Sequence, residues 1–215
     1  MKKLVALSMT ALLAAMMSAC SDETNNATEN KDPVEQNEKK EDGPSGSTNQ
    51  TDPDWITPVG ETISTEGGDF TFHARNDKVE AVETGSLTVD FDQVATISGA
   101  LSPEFAEYVG VDELEYIQLD IQVVNNSQES ITFDAYQATV ITNTGEEITM
   151  PNPKLGPPPE GNFEGEEKKQ ASIFYVLESS KAEEVEWVRI IMEAPRDKND
   201  EKVGEDLDIK VELKG

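Results

Sequence analysis

Only one cysteine and one histidine occur in the 215 residues, and aromatic side chains make up 6%. A single cysteine excludes an internal disulfide. One cysteine and one histidine together exclude zinc sites built from several such ligands. His73 is the only imidazole, so a serine-type catalytic set has one candidate base. The scarcity of aromatics leaves little to build the sugar-stacking cleft of a glycosidase. Positive charge is scarce too: 17 basic residues face 44 acidic ones, for a net charge of −27. That field repels nucleic acid and anionic lipid headgroups, so neither is an electrostatic partner. It favours solubility and cations, and fits equally a saline or alkaline habitat.

The one long apolar run is at the start. Lys2 and Lys3 precede a mostly apolar Leu4–Met17, and the small Ser18 and Ala19 lead to Cys20. This is the layout of an export signal. The run is shorter than the roughly 20 residues of a bilayer span. "MSAC" (Met17–Cys20) resembles the lipobox of bacterial lipoproteins, with Met17 where leucine is commonest. The resemblance implies cleavage before Cys20 and a thioether-linked diacylglyceryl group on it, with palmitate-type chains among its acyl groups. Two or more chains hold a protein stably on a membrane, where one gives marginal attachment. The plain alternative is a secreted protein with a stray N-terminal thiol. Loss of residues 1–19 removes Lys2 and Lys3 and no acid, leaving 15 basic against 44 acidic residues and a net charge of −29.

From Ser21 to Asp54 only Ala27 and Val34 are apolar, so no core can form and the segment is expected to stay disordered. As a flexible coil it would span roughly 30 Å, and its charges would stretch it further. The expected organisation is a lipoprotein signal peptide (residues 1–19), a lipidated Cys20 with an acidic tether (residues 20–54), and one domain (residues 55–215).

Within the domain, apolar residues alternate. Ile117, Leu119, Ile121 and Val123 share one face of the clearest strand, with Gln118, Asp120 and Gln122 on the other. Leu207, Ile209, Val211 and Leu213 alternate strictly. In "SLTVDFDQVATI" (Ser86–Ile97) the pattern changes phase at Val94. Other strands are expected at Asp69–Arg75, Ser130–Met150 around a turn at Asn143–Glu146, Ala171–Glu178 and Val185–Glu193. Ser102–Gly110 reads as a helical turn, with Ser102 as cap and Pro103 at the first position. About eight such strands predict an all-β, antiparallel sandwich.

"LEYIQLDIQVVNNSQESITFDAYQATVITNTGEEI" (Leu114–Ile148) resembles a domain of unknown function common in lipoproteins of Gram-positive bacteria. In that pattern a long strand ends in V-N-N, I-T-F-D follows a turn, and the next strand ends at a T-G turn. Gly161–Ile190 fits the later half, and the likeness runs from Asp69 to Leu213. It implies an immunoglobulin-like β-sandwich similar to a secreted mycobacterial antigen, extracellular, and it transfers no catalytic residue. The chain departs from the pattern in the long, proline-rich Pro151–Gln170 and in the region before Asp69.

The strongest metal candidate is "DKNDEKVGEDLD" (Asp197–Asp208). Asp197, Asn199, Glu201 and Asp208 hold positions one, three, five and twelve of a calcium loop. Lys202 stands where the sharp-turn glycine belongs, so an EF-hand is excluded. A looser calcium site between strands and an exposed hairpin loop both remain. Pairs such as Asp90/Asp92, Asp112/Glu113 and Glu166/Glu167 are expected on a solvated acidic face. His73 is expected to point outward from its strand. "GPPPEG" (Gly156–Gly161) is stiff and either presents a contact surface or simply joins two sheets.

The reading that follows is a non-enzymatic surface lipoprotein without a cofactor. It would be attached to the membrane through lipid on Cys20 and would bind an envelope or extracellular protein through its loops. A calcium-binding or stress-sensing envelope protein is the alternative.

Overall fold

The computed structural model describes residues 57–215. The signal segment, Cys20, the tether up to Asp54 and the first two residues of the expected domain lie outside the described residues. Thirteen strands and one α-helix follow in order. The first group is β1 (Thr62–Thr65), β2 (Gly68–Asn76), β3 (Val82–Thr84), β4 (Leu87–Leu101), α1 (Pro103–Val109) and β5 (Glu113–Asn125). Then come β6 (Ile131–Thr132), β7 (Thr139–Thr142), β8 (Glu147–Ile148), β9 (Asn162–Phe163) and β10 (Lys168–Val176). The last are β11 (Trp187–Met192), β12 (Arg196–Asp197) and β13 (Leu207–Glu212). All pairings are antiparallel, as the alternation predicts.

The large sheet runs β1-β2-β4-β5-β10, with β3 also on β4. Two smaller sheets, β13-β11-β7-β8 and β12-β6-β9, pack against it. The main core lies between these layers. Cross-strand rows Phe91–Ile121–Ala171 and Val94–Leu119–Ile173 meet Val140, Val188 and Ile190 of one small sheet and Ile131 and Phe163 of the other. Each such large side chain, fully buried, contributes about 1.5–3 kcal/mol against exposure. This is the expected antiparallel sandwich.

The large sheet carries a second core on its opposite face. The row Phe72–Ile97–Tyr116–Val176 is packed with Phe70, Leu114, Phe174, Val109 and Leu155. The phase change in β4 is the hinge between the two. The β4–β5 register slips between Phe91 and Gln93, leaving exposed Asp92 as a bulge residue. Before the bulge Leu87, Val89 and Phe91 face the main core; after it Val94 still does, while Ala95 and Ile97 face the second. One extra residue re-aims everything downstream because the side-chain period is two.

Helix α1 covers part of that second face. Pro103 opens it. Ser102 sits at the cap position with an extended backbone, but its hydroxyl makes no capping bond. Gly110 closes it with φ +100°, its N–H donating to the Ala106 carbonyl, a conformation glycine adopts freely.

Candidate functional site

The Asp197–Asp208 segment folds into a self-braced loop rather than an oxygen cage. One Asp197 carboxylate oxygen accepts the N–H of Asn199 (2.8 Å) and of Glu201 (2.9 Å), and the other accepts the Asn199 side-chain amide (3.0 Å). These donors, the Glu201 N–H foremost, hold the Asp197 carboxyl below its ordinary range. Asp208 lies on β13, where Nε and Nη2 of the Arg189 guanidinium on β11 each donate to one of its carboxylate oxygens. Glu201 contributes its backbone N–H to the Asp197 turn. The four expected calcium ligands therefore do not converge. Among the described residues no group of three or more His, Cys, Asp or Glu side chains is placed to hold a metal ion. The alternate spacing is that of an Asx turn, which uses the same residue types for backbone donors.

His73 differs from its expected solvated position. It is the extra residue of a second bulge, where the β2–β4 register slips between Phe72 and Ala74. Its ring is half-buried, and Nε2 lies 2.8 Å from the Ser98 hydroxyl. Beside them Thr62, Asp69, Thr71, Glu113 and Glu115 line a hollow of about 280 Å³. A serine–histidine pair needs a third group to orient the imidazole, and unclaimed N–H donors for an oxyanion. The Glu115 carboxylate is engaged by Lys181 Nζ (3.0 Å) and the Ala182 N–H (2.8 Å). Ser98 sits mid-strand, paired to Thr71 and Glu115 on either side.

Carboxylates elsewhere on the large sheet are tied to amides. Asp120 accepts from Gln93 (3.1 Å) and Gln118 (2.9 Å), and bulged Asp92 from Gln170 (2.6 Å). The proline-rich connection lies on the sheet: Leu155 joins the second core, and a Cβ on Gly156 would meet the Phe174 ring at 2.9 Å.

The unusual surface is at one end of the large sheet. Among the described residues the exposed large apolar side chains are Tyr108 (59% exposed), Val111 (46%), Met150 (61%) and Val203 (37%). The first three sit on α1, on the turn after it, and before the 151–155 segment. Tyr108 stacks on Phe105 at 6.2 Å between centroids. Lys154 Nζ donates to the carbonyls of Tyr108 (3.1 Å) and Val109 (3.0 Å), capping the helix end and tying the two segments together. Val109, Met150 and Pro153 line one hollow there; Ala106, Gly110 and Val111 line another.

Sequence reasoning missed this patch, yet the signal was present. Within α1, Phe105 and Val109 stand four apart, with Ala106 buried alongside, which leaves Tyr108 off the inward stripe. Thr57, the first described residue, lies at the opposite end of β2. The Thr57 carbonyl accepts from Arg75 Nη1 at 2.7 Å, whereas the β1–β2 turn lies by α1, with Ser102 donating to the Gly67 carbonyl. The nine residues of β2 separate the two ends by about 27 Å.

No protein-family model matches the chain. Its sequence is 24% identical over 156 residues to the SPbeta prophage-derived uncharacterized lipoprotein YonS of Bacillus subtilis (strain 168), covering 72% of this chain and 71% of that one. The crystal structure of a functionally unknown protein from Listeria monocytogenes EGD-e shares the fold with a TM-score of 0.52. It is 14% identical, over 69% of this chain and 89% of that one. The lipoprotein resemblance carried by Met17–Cys20 is thus matched by a relative named as a lipoprotein. Among the described residues no helix is long and apolar enough to cross a membrane.

Proposed function

We propose that the protein is a lipid-anchored, non-enzymatic binding module at the extracellular face of the cell membrane. Cys20 carries the anchor, the acidic segment to Asp54 acts as a tether, and the sandwich presents its connections to another envelope or extracellular protein. The observation that carries this reading is the exposure of Tyr108, Val111 and Met150 on two segments that Lys154 ties to each other. They project from connections on a rigid sheet, at the end away from Thr57. Isolated exposed apolar residues are ordinary, but three of the four large ones exposed among the described residues fall on α1, the turn after it and the segment that Lys154 ties to it. The lipobox and the lipoprotein relative support the anchor.

Two measurements test it. Cys20→Ala should release the protein from the membrane fraction into the medium; unchanged retention would remove the anchor. A photoreactive amino acid at position 108 of the anchored protein should yield discrete crosslinked adducts on intact cells, and the same probe at exposed position 208 should not. Equal labelling from both positions, or none from 108, would remove the binding role.

A further inference from the structure

We infer that the α1 end of the sandwich is a docking surface for a cationic protein segment with an apolar face, an inference that rests on the binding-module reading above. Lys154 neighbours two exposed apolar side chains of this surface: Tyr108 offers a rigid ring, and Met150, lining the same hollow as Lys154, a flexible thioether chain that fits varied partners. Its rim is acidic. Glu104 and Glu107 stand exposed on α1, with Asp112 just beyond Val111 and Glu178 beside the Met150 hollow. The base of this patch, Lys154, spends its ammonium on the Tyr108 and Val109 carbonyls, with the Tyr108 ring centroid 5.9 Å away. It anchors the patch and leaves the rim charge uncompensated.

Charge complementarity then selects the occupant. A second copy of this chain would bring another −27 against the first, and an anionic lipid surface would be repelled in the same way. A segment with lysine or arginine flanking apolar residues meets both features: its bases reach the rim and its apolar side chains cover Tyr108 and Met150.

The test uses the full chain made soluble by Cys20→Ala. Three synthetic peptides of equal length are titrated: an amphipathic Lys/Leu helix, a Lys/Ser peptide of the same charge, and a Glu/Leu helix. Amide shifts in the NMR spectrum locate the contact, and fluorescence anisotropy gives the affinity. The Lys/Leu peptide should shift residues 104–112 and 148–154. In Tyr108→Ser/Met150→Ser its affinity should fall roughly tenfold, and added salt should weaken it further. The proposal is overturned if Lys/Ser binds as well as Lys/Leu, or if the double variant binds unchanged. Tighter binding of Glu/Leu or of phosphatidylglycerol vesicles would overturn it as well. Circular dichroism of the double variant guards against misfolding, and Glu104→Gln/Glu107→Gln provides a second variant expected to weaken binding while leaving the apolar centre intact. Failure here with position-108 adducts on cells would reject the cationic partner and keep the binding module.

Discussion

The Glu146 carboxylate accepts the Ser180 backbone N–H at 2.9 Å, and its other oxygen takes those of Glu178 (2.6 Å) and Ser179 (3.1 Å). Three successive donors of the turn after β10 are thus gathered by one side chain from the turn between β7 and β8. Burial, the largest single influence, pushes this carboxyl upward. The hydrogen bonds from Glu178, Ser179 and Ser180 together outweigh it, and the folded protein holds Glu146 below the ordinary glutamate range. A lowered folded value means stability that is full above the ordinary value and lost as pH falls through the folded one. Glu146→Gln should cost about 1 kcal/mol near neutrality, a modest figure because solvent reaches the group. The gap between variant and parent in urea midpoints should close in acid; a gap independent of pH would contradict the charge-assisted account.

Tyrosines supply the opposite pH limb. Burial, above all, raises Tyr116, Tyr136 and Tyr175 far above the ordinary phenol range. A raised folded value gives stability that is full below the ordinary value and lost as pH rises through the folded one. In an alkaline titration followed by tyrosinate absorbance, these three should ionise only as the sandwich unfolds. Ionisation ahead of the loss of circular dichroism would contradict it.

The hydroxyls of Tyr136 and Tyr175 are buried beside the Val123 and Ala138 backbone without a well-formed hydrogen bond. Replacing either by phenylalanine removes an unsatisfied oxygen and keeps the ring. Tyr175→Phe should therefore leave stability within about 1 kcal/mol of the parent, or raise it. A large loss on thermal melting would show that the hydroxyl is satisfied in solution.

Gly99 faces Phe70 across β2 and β4, and a Cβ there would lie 2.6 Å from the Phe70 ring. Gly99→Ala should cost about 1–3 kcal/mol through displacement of that ring from the second core. Near-ultraviolet circular dichroism should register the movement, since Phe70 packs edge-to-face on Tyr116 at 6.3 Å.

Calcium should not raise the unfolding midpoint of the Cys20→Ala chain beyond what magnesium does at equal ionic strength. The Asp197 oxygens are committed to loop donors, and Asp208 to Arg189. A ligand that binds only the native state raises the midpoint with the logarithm of its excess. A calcium-specific rise lost in Asp197→Ala would restore the metal reading.

Strand positions were legible because alternation is local: β5 and β13 stand where Ile117–Val123 and Leu207–Leu213 alternate. The phase change at Val94 was visible too, but not its meaning. That required knowing that Asp92 bulges and that a second layer awaits Ile97 on the far face. β1, β3, β9 and β12 were not legible, since two to four residues carry no period and exist through their partners. The candidate calcium loop misled for a chemical reason: Asp and Asn serve a metal ion and a tight turn with the same oxygens. The apolar patch depends on which side of α1 meets the sheet, and on Lys154 arriving from 46 residues away in sequence to dock beside Tyr108.

Because β4 and β5 run through both apolar layers, melting of one layer strips packing from strands that the other also needs. The bulge at Asp92 makes a single beam of them, loaded from above at one end and from below at the other. Amide hydrogens at Ala95–Ile97 and at Val89–Phe91 should then open together, in one cooperative event, despite guarding opposite faces of the sheet.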